Sequence, residues 1–239
     1  MLEYQPLFQL DTQQLTGFEA LIRWVHPDRG VVPPGIFVPL AEESGLILEI
    51  GAWVIEEACR TLAGFQLHDE DLGMNVNVSP RQLVDPGFPA LVMATLQRSG
   101  IAPGDLTLEV TEATAITSTE DAARALATLR RQGVHIALDD FGTGFSSLQY
   151  LGELPADTIK IDKSFVDSSR SHNHTTLEAI VTLAQKLGMN VIAEGIELDE
   201  DVERLERFGS ITGQGYLFAG PVTAREALDL VRDSARART

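Results

Sequence analysis

The sequence predicts an α/β fold with a largely parallel sheet of about eight strands, the count of a closed (β/α)8 barrel. Three observations carry that prediction. Short apolar, strand-like runs alternate with longer segments of helical period all the way to the C-terminus. The chain has 239 residues, near the ~250 typical of one barrel, and no linker divides it. Several helical runs stop at or just before a glycine.

Taken in order, Tyr4–Leu10 and Gly17–Trp24 read as strands joined through Asp11 by a hairpin-like spacing. Such a short connection suits antiparallel pairing, so the barrel is expected to begin irregularly. Val31–Gly35, with its two prolines, reads as an ordered loop. Further strands are expected at Met74–Ser79, Leu106–Thr111, Val134–Asp140, Thr158–Asp162, Asn190–Glu194 and Ser210–Gly215. The helical runs are Ile50–Gly64, Phe88–Ser99, Thr119–Gln132, Thr175–Leu187, Asp199–Phe208 and Ala224–Ala235, with Gly64, Gly100, Gly133, Gly188 and Gly209 as stops. Only Ser234–Thr239 has the composition of a disordered tail.

Acidic residues outnumber basic ones 35 to 18, for a net charge of -17. Bulk charge therefore argues against general binding to nucleic acid or an anionic membrane surface. A small anionic substrate would need a local source of positive potential. The single cysteine, Cys59, rules out a disulfide framework and reads as a small core residue. No apolar run approaches the ~18 residues of a membrane span. A cytoplasmic location is the expectation, with the chain cut from a longer protein that carries any sensor or membrane anchor.

The pair Asp139-Asp140 closes an apolar run and opens into Phe141-Gly-Thr-Gly144. Two adjacent carboxylates at a buried strand end repel each other and lose hydration, which calls for a cation beside them. Other polar residues recur at strand ends on alternate positions: Glu19 and Arg23, Asn75 and Asn77, Glu109 and Thr111, Lys160 and Asp162, then Glu194 and Gln214. The outward face of a barrel packs on helices, so period-2 alternation places these groups inward at the mouth. Hard oxygen donors with one amide, from Asn77, point to Mg2+ or Mn2+ over zinc. His172-x-His174, His26 and His135 lack zinc-ligand spacing. Lys160 should reach among the carboxylates, to balance charge or to orient a water or phosphate oxygen. Glu112 has the opposite parity to Glu109 and reads as a loop anchor. The glycines after Asp140 read as a sharp backbone turn that lets both carboxylates face the mouth.

Read together, Glu19-Ala-Leu21 with Arg23-Trp24, Asn77-Val-Ser79, Glu109-Val-Thr-Glu112, Asp139-Asp-Phe-Gly-Thr-Gly144, Lys160-Ile-Asp162, Ala193-Glu-Gly-Ile-Glu197 and Gln214-Gly-Tyr216 resemble the EAL-domain family of cyclic-di-GMP phosphodiesterases. The resemblance runs from about Tyr4 to Pro221. It implies a (β/α)8 TIM-type barrel with an antiparallel first strand, and a single EAL phosphodiesterase domain over residues 1–239 belonging to a longer multidomain signalling protein. It implies two Mg2+ or Mn2+ ions, one held by Glu19, Asn77, Glu109 and Asp139, the other by Asp139, Asp140 and Glu194. Ca2+ is expected to bind there but to support turnover poorly. Lys160 and Glu194 would position and deprotonate the attacking water. Leu21, Arg23, Asp162, Glu197 and Gln214 would contact substrate, while Glu112 would steady the loop of Phe141, Gly142, Thr143 and Gly144. The implied reaction is hydrolysis of cyclic-di-GMP to linear pGpG. Implied partners are cyclic-di-GMP and a second copy in a homodimer, with no nucleic-acid polymer and no direct membrane contact. Phe145, Ala113 and Leu198 stand where the family often has tyrosine, serine and threonine, and none of them is a ligand or base. The alternatives are a catalytically silent cyclic-di-GMP receptor on the same fold and, more remotely, a metal-dependent barrel that abstracts a proton beside a carboxylate. A purely structural role is the third.

Overall fold

The computed structural model describes residues 1–117, 119–142, 155–167 and 173–237. Its strands in chain order are β1 (Leu2–Gln9), β2 (Gln14–Ile22), β3 (Trp24–His26), β4 (Gly30–Val32), β5 (Gly73–Asn77), β6 (Leu106–Thr111), β7 (His135–Phe141), β8 (Thr158–Ile161), β9 (Asn190–Ala193) and β10 (Thr212–Gly213). Its helices are α1 (Pro34–Ser44), α2 (Ile47–Gln66), α3 (Pro80–Leu83), α4 (Phe88–Ser99), α5 (Glu112–Thr117), α6 (Glu120–Arg131), α7 (Lys163–Val166), α8 (Asn173–Lys186), α9 (Asp199–Glu206) and α10 (Ala224–Ala237).

Eight strands close a barrel in the order β1-β10-β9-β8-β7-β6-β5-β2, and β3 with β4 forms a separate hairpin. β1 runs antiparallel to both of its neighbours, β2 and β10. The other barrel pairs are parallel. The expected antiparallel start is therefore correct. It follows from a four-residue turn after β1, where Gln13 takes a left-handed φ of 56°.

Strand residues on the outward face meet the helices in one apolar layer. Phe18, Met74, Val76, Leu108, Ile136, Leu138 and Ile159 pack there with Ile55, Leu62, Leu96, Leu129, Val181 and Leu205, all fully or almost fully buried. Helix α6 illustrates how the sequence builds this layer. The Thr119 hydroxyl caps it by accepting from Ala122 N, acidic Glu120 and Asp121 open it, and Arg130 and Arg131 close it, matching the helix dipole. Ala122, Ala125, Leu126 and Leu129, spaced three and four apart, are its buried stripe. Gly17 interrupts a strand because a Cβ there would lie 2.4 Å from the carbonyl oxygen of Gly73 on β5. Cys59 is fully buried, and burial pushes its thiol up to about 12.

Three sequence expectations need correction. Residues 234–237 are not a disordered tail, because α10 runs through them. Val31–Gly35 is not a loop: Val31 and Val32 belong to β4, and Pro34 opens α1 as its first residue, where a missing N–H costs nothing. Gly64 does not stop a helix, because α2 runs through it to Gln66. Gly100, in contrast, ends α4 in the left-handed conformation. Among the described residues no helix is long and apolar enough to cross a membrane.

Candidate active site

At the C-terminal end of the barrel the alternate-position residues meet around Lys160. Its side chain is 1% exposed, and its Nζ lies 2.6 Å from Glu194 Oε1, 2.9 Å from Glu109 Oε2, 3.2 Å from Glu19 Oε2 and 3.3 Å from Asp139 Oδ1. Strand register explains the convergence. Asn77 sits beside Glu109, and Glu19 sits beside Asn75. Three side-chain amides complete the set: Asn77 Nδ2 donates to Glu19 Oε1 at 2.7 Å, Asn75 Nδ2 to Glu109 Oε1 at 2.8 Å, and Gln214 Nε2 to Glu19 Oε2 at 2.9 Å and Glu194 Oε1 at 3.2 Å. In the sequence Asn75 is a polar strand residue with no assigned role. Its inward parity with Asn77 is the signal that marks it.

Charge decides the protonation of this cluster. Burial opposes the charge on Lys160, but Glu109, Glu19, Glu194 and Asp139 override it and hold its pKa well above the ordinary lysine value. Burial, then repulsion from Glu19, pushes Glu109 well above the glutamate range despite Lys160. For Glu19, burial is outweighed by Lys160 and by hydrogen bonds from Gln214, Glu109 and Asn77, and its pKa falls. Glu194 is raised to about 7, by burial foremost, with Lys160 opposing and Asp139 and Glu19 reinforcing. Lys160 is thus a fixed cation, and Glu194 is a carboxyl poised to exchange a proton near neutrality.

Asp140 reaches the mouth by a backbone device. A regular strand would send Asp139 and Asp140 to opposite faces, but β7 shifts register between Leu138 and Phe141 and Asp140 adopts φ 54°. Its carboxyl is raised by burial and by the neighbouring Asp139 and Asp162. Asp140 itself takes a left-handed φ, two residues before Gly142, where the glycine turn expected from sequence is also found. Behind it, Gly142 N donates to Glu112 Oε2 at 3.0 Å, as the loop-anchor reading requires. Gly142 has φ 95°, and a Cβ there would come 2.8 Å from the Phe165 ring. Phe141 is buried beside it. Thr143, Gly144 and His172 lie outside the described residues.

A cavity of about 740 Å³ opens from the cluster between α1, α2 and the barrel, lined at its inner end by Glu19, Leu21, Asn77 and Asp140. Three proposed substrate contacts lie elsewhere on the rim. Arg23 Nε bonds Glu3 Oε2 at 2.7 Å, Asp162 caps α7 by accepting from Ser164 N at 2.9 Å, and Glu197 is ion-paired with Lys163.

The donor set suits hard divalent cations. Four carboxylates share one ammonium, and the buried Asp139 Oδ1 and Gln214 Oε1 accept no hydrogen bond among the described residues. No three acidic or imidazole groups among the described residues are spread around a common point as metal ligands, because the carboxylates are drawn onto Lys160 instead.

The family model described as EAL domain matches residues 1–221. The chain belongs to the EAL-domain family. This EAL domain is 43% identical over 226 residues to a signalling protein of Caulobacter vibrioides with no assigned role, covering 92% of this chain and 27% of that protein. It is 40% identical over 231 residues to MucR, a bifunctional diguanylate cyclase/cyclic di-GMP phosphodiesterase of Pseudomonas aeruginosa, covering 95% of this chain and 34% of MucR. The MucR phosphodiesterase solved as a c-di-GMP complex superposes with a TM-score of 0.89 at 40% identity, over 95% of this chain and 93% of that one. The chain thus spans about a third or less of the length of these curated relatives.

In this EAL domain the Glu112 anchor can be tested alone. Glu112→Ala removes a buried charged acceptor from Gly142 N, and is expected to cost about 1.5–3 kcal/mol. A urea unfolding midpoint equal to that of the wild type would show that Glu112 does not hold the turn.

Proposed function

We propose that this EAL domain hydrolyses cyclic-di-GMP to linear pGpG. The observation that carries the reading is one buried ammonium ringed by four carboxylates, one of which, Glu19, also lines an open cavity with Asn77 and Asp140. A fixed cation beside a carboxylate that can accept a proton suits attack of water on an anionic phosphodiester.

In this reading Glu194 accepts the proton of the attacking water as the new P–O bond forms. The bond from phosphorus to the ring-closing ribose oxygen breaks in the same displacement, and that oxygen takes up a proton from solvent, while Glu194 returns the one it accepted to solvent after turnover. Lys160 stays charged, orients the water and faces the negative charge that grows on the phosphoryl oxygens. Gln214 bridges Glu19 and Glu194 by donating to both through one amide nitrogen. Two Mg2+ or Mn2+ ions held by Glu19, Asn77, Glu109, Asp139, Asp140 and Glu194 would supply Lewis acidity and screen the phosphate. Leu21, Arg23, Asp162 and Glu197 would line the rest of the substrate, Arg23 and Glu197 exchanging their present ion-pair partners for it. Residues 1–239 act as the hydrolytic module of a longer signalling protein.

The deciding experiment incubates the purified chain with cyclic-di-GMP and Mn2+ or Mg2+ and resolves the nucleotides by chromatography. Linear pGpG is the expected product. Tight binding with the ligand recovered intact would replace this reading by that of a silent receptor.

A further inference from the structure

Asn75 is a buried amide beneath the carboxylate cluster, and the reaction above gives it no part. It lies on β5 two residues before Asn77, beside Glu19 on β2 and Thr107 on β6, so it points into the barrel one row below the mouth. It is 6% exposed. Its Nδ2 donates to Glu109 Oε1 at 2.8 Å, while Glu109 Oε2 takes the Lys160 ammonium at 2.9 Å. Below it a polar cavity of about 210 Å³ occupies the N-terminal end of the barrel, lined by Asn75 with Gln9, Thr107, Thr158, Asn190 and Thr212 among others.

We propose that Asn75 is a positioning residue for the phosphodiesterase site: by occupying Oε1 of Glu109 from below, it presents Oε2 alone to the mouth as a one-oxygen ligand. The inference rests on the metal-dependent reading of the site given above. The terminal torsion of a glutamate is broad and nearly two-fold, so a carboxylate held at only one oxygen can swing. Glu109 has reason to swing, because Glu19 and Asp139 repel it. A second cation below would fix it but would also compete with the ions for its charge. A neutral amide donor fixes it without that competition. The polar cavity is what makes an amide tenable at this depth, since hydroxyl and amide side chains line it with Asn75 beside the aliphatic ones usual inside such barrels. Groups that orient a ligand in this way typically govern metal affinity as much as rate.

The test is calorimetric titration of Mn2+ into chelator-stripped protein without nucleotide, followed by steady-state kinetics. Asn75→Val keeps a branched side chain and loses the donor. It is expected to weaken Mn2+ binding by roughly 10- to 100-fold. At saturating Mn2+, kcat falls while KM for cyclic-di-GMP stays within about two-fold of the wild type. If Asn75→Val lacks a cooperative melting transition, Asn75→Ala, which brings no extra methyls into the barrel, is measured in the same way. Mn2+ affinity within about two-fold of the wild type in a folded variant overturns the proposal. A wild-type chain that takes up no Mn2+ and leaves cyclic-di-GMP intact removes the underlying reading and the inference with it. A wild type that binds and hydrolyses while the variant matches it removes the inference alone.

Discussion

Glu194→Gln is expected to fold as the wild type does and to turn over cyclic-di-GMP about 10²- to 10⁴-fold more slowly, the usual worth of a general base. Glu194 follows β9, its N–H bonded to the Ile161 carbonyl at 3.0 Å, so its backbone is fixed by the strand that carries Lys160. Gly195 behind it has φ 65° and no room for a Cβ, because the Lys163 stem lies against it. Of the four carboxylates on Lys160, Glu194 is the most exposed, with its side chain at 18%. Glu194 and Asp139, at 18% and 15%, are the two of the four that water reaches most readily. Burial first, then Asp139 and Glu19, raise it to about 7 against the pull of Lys160. The sign of the linkage follows: a carboxyl raised on folding contributes its full stability below the ordinary glutamate value of 4.5 and loses it as pH climbs through about 7. Glutamine cannot ionise. In chelator, Glu194→Gln should therefore melt together with the wild type at acid pH and at a higher temperature above neutrality. Turnover within ten-fold of the wild type at saturating Mn2+ would remove the base role, and parallel melting curves across this window would remove the raised carboxyl.

The barrel was legible in the sequence because apolar runs and glycine stops report directly on strand and helix ends. β6 spans Leu106–Thr111 and α4 spans Phe88–Ser99, as read. Parity found Glu19, Asn77, Glu109, Lys160 and Gln214, because side chains on alternate positions of a strand must share a face. Parity failed where the backbone leaves the ladder. Asp140 faces the cavity through a left-handed φ of its own, which aspartate tolerates better than most residues; the glycines after it signal a turn but not that Asp140 makes it. Arg23 shares the parity of Glu19, yet it follows the last residue of β2 and pairs with Glu3 of the antiparallel β1. The start of helix α1 is hidden by Pro33 and Pro34, which read as loop punctuation although Pro34 sits harmlessly at the helix start. What sequence could not supply was the allotment of oxygens. That Glu109 gives one to Asn75 and the other to Lys160 depends on how far the barrel brings β5 and β8 towards its axis.

Lys160→Met is expected to lower the stability of the metal-free domain by about 3–5 kcal/mol, the cost of removing one partner from a buried ion pair. Methionine keeps the unbranched shape, so packing contributes little to the difference. The loss comes from Glu19, Glu109, Asp139 and Glu194, which share this ammonium and would then face one another. They can relieve the repulsion by taking up protons, so the deficit should shrink as pH falls. They can also relieve it by holding divalent ions, and Mn2+ should return much of the lost melting temperature. Turnover should not return with it. The charge that grows on the phosphoryl oxygens needs a donor fixed in place before reaction, and losing one such donor commonly costs about 10²- to 10³-fold in kcat, with less effect on substrate binding. The two readouts separate two roles that one ammonium combines. Melting of Lys160→Met at the wild-type temperature in chelator would discard charge balance as its work in the resting site. Unchanged kcat in the Mn2+-restored variant would discard its part in the reaction, leaving Glu194 and the ions to carry the chemistry.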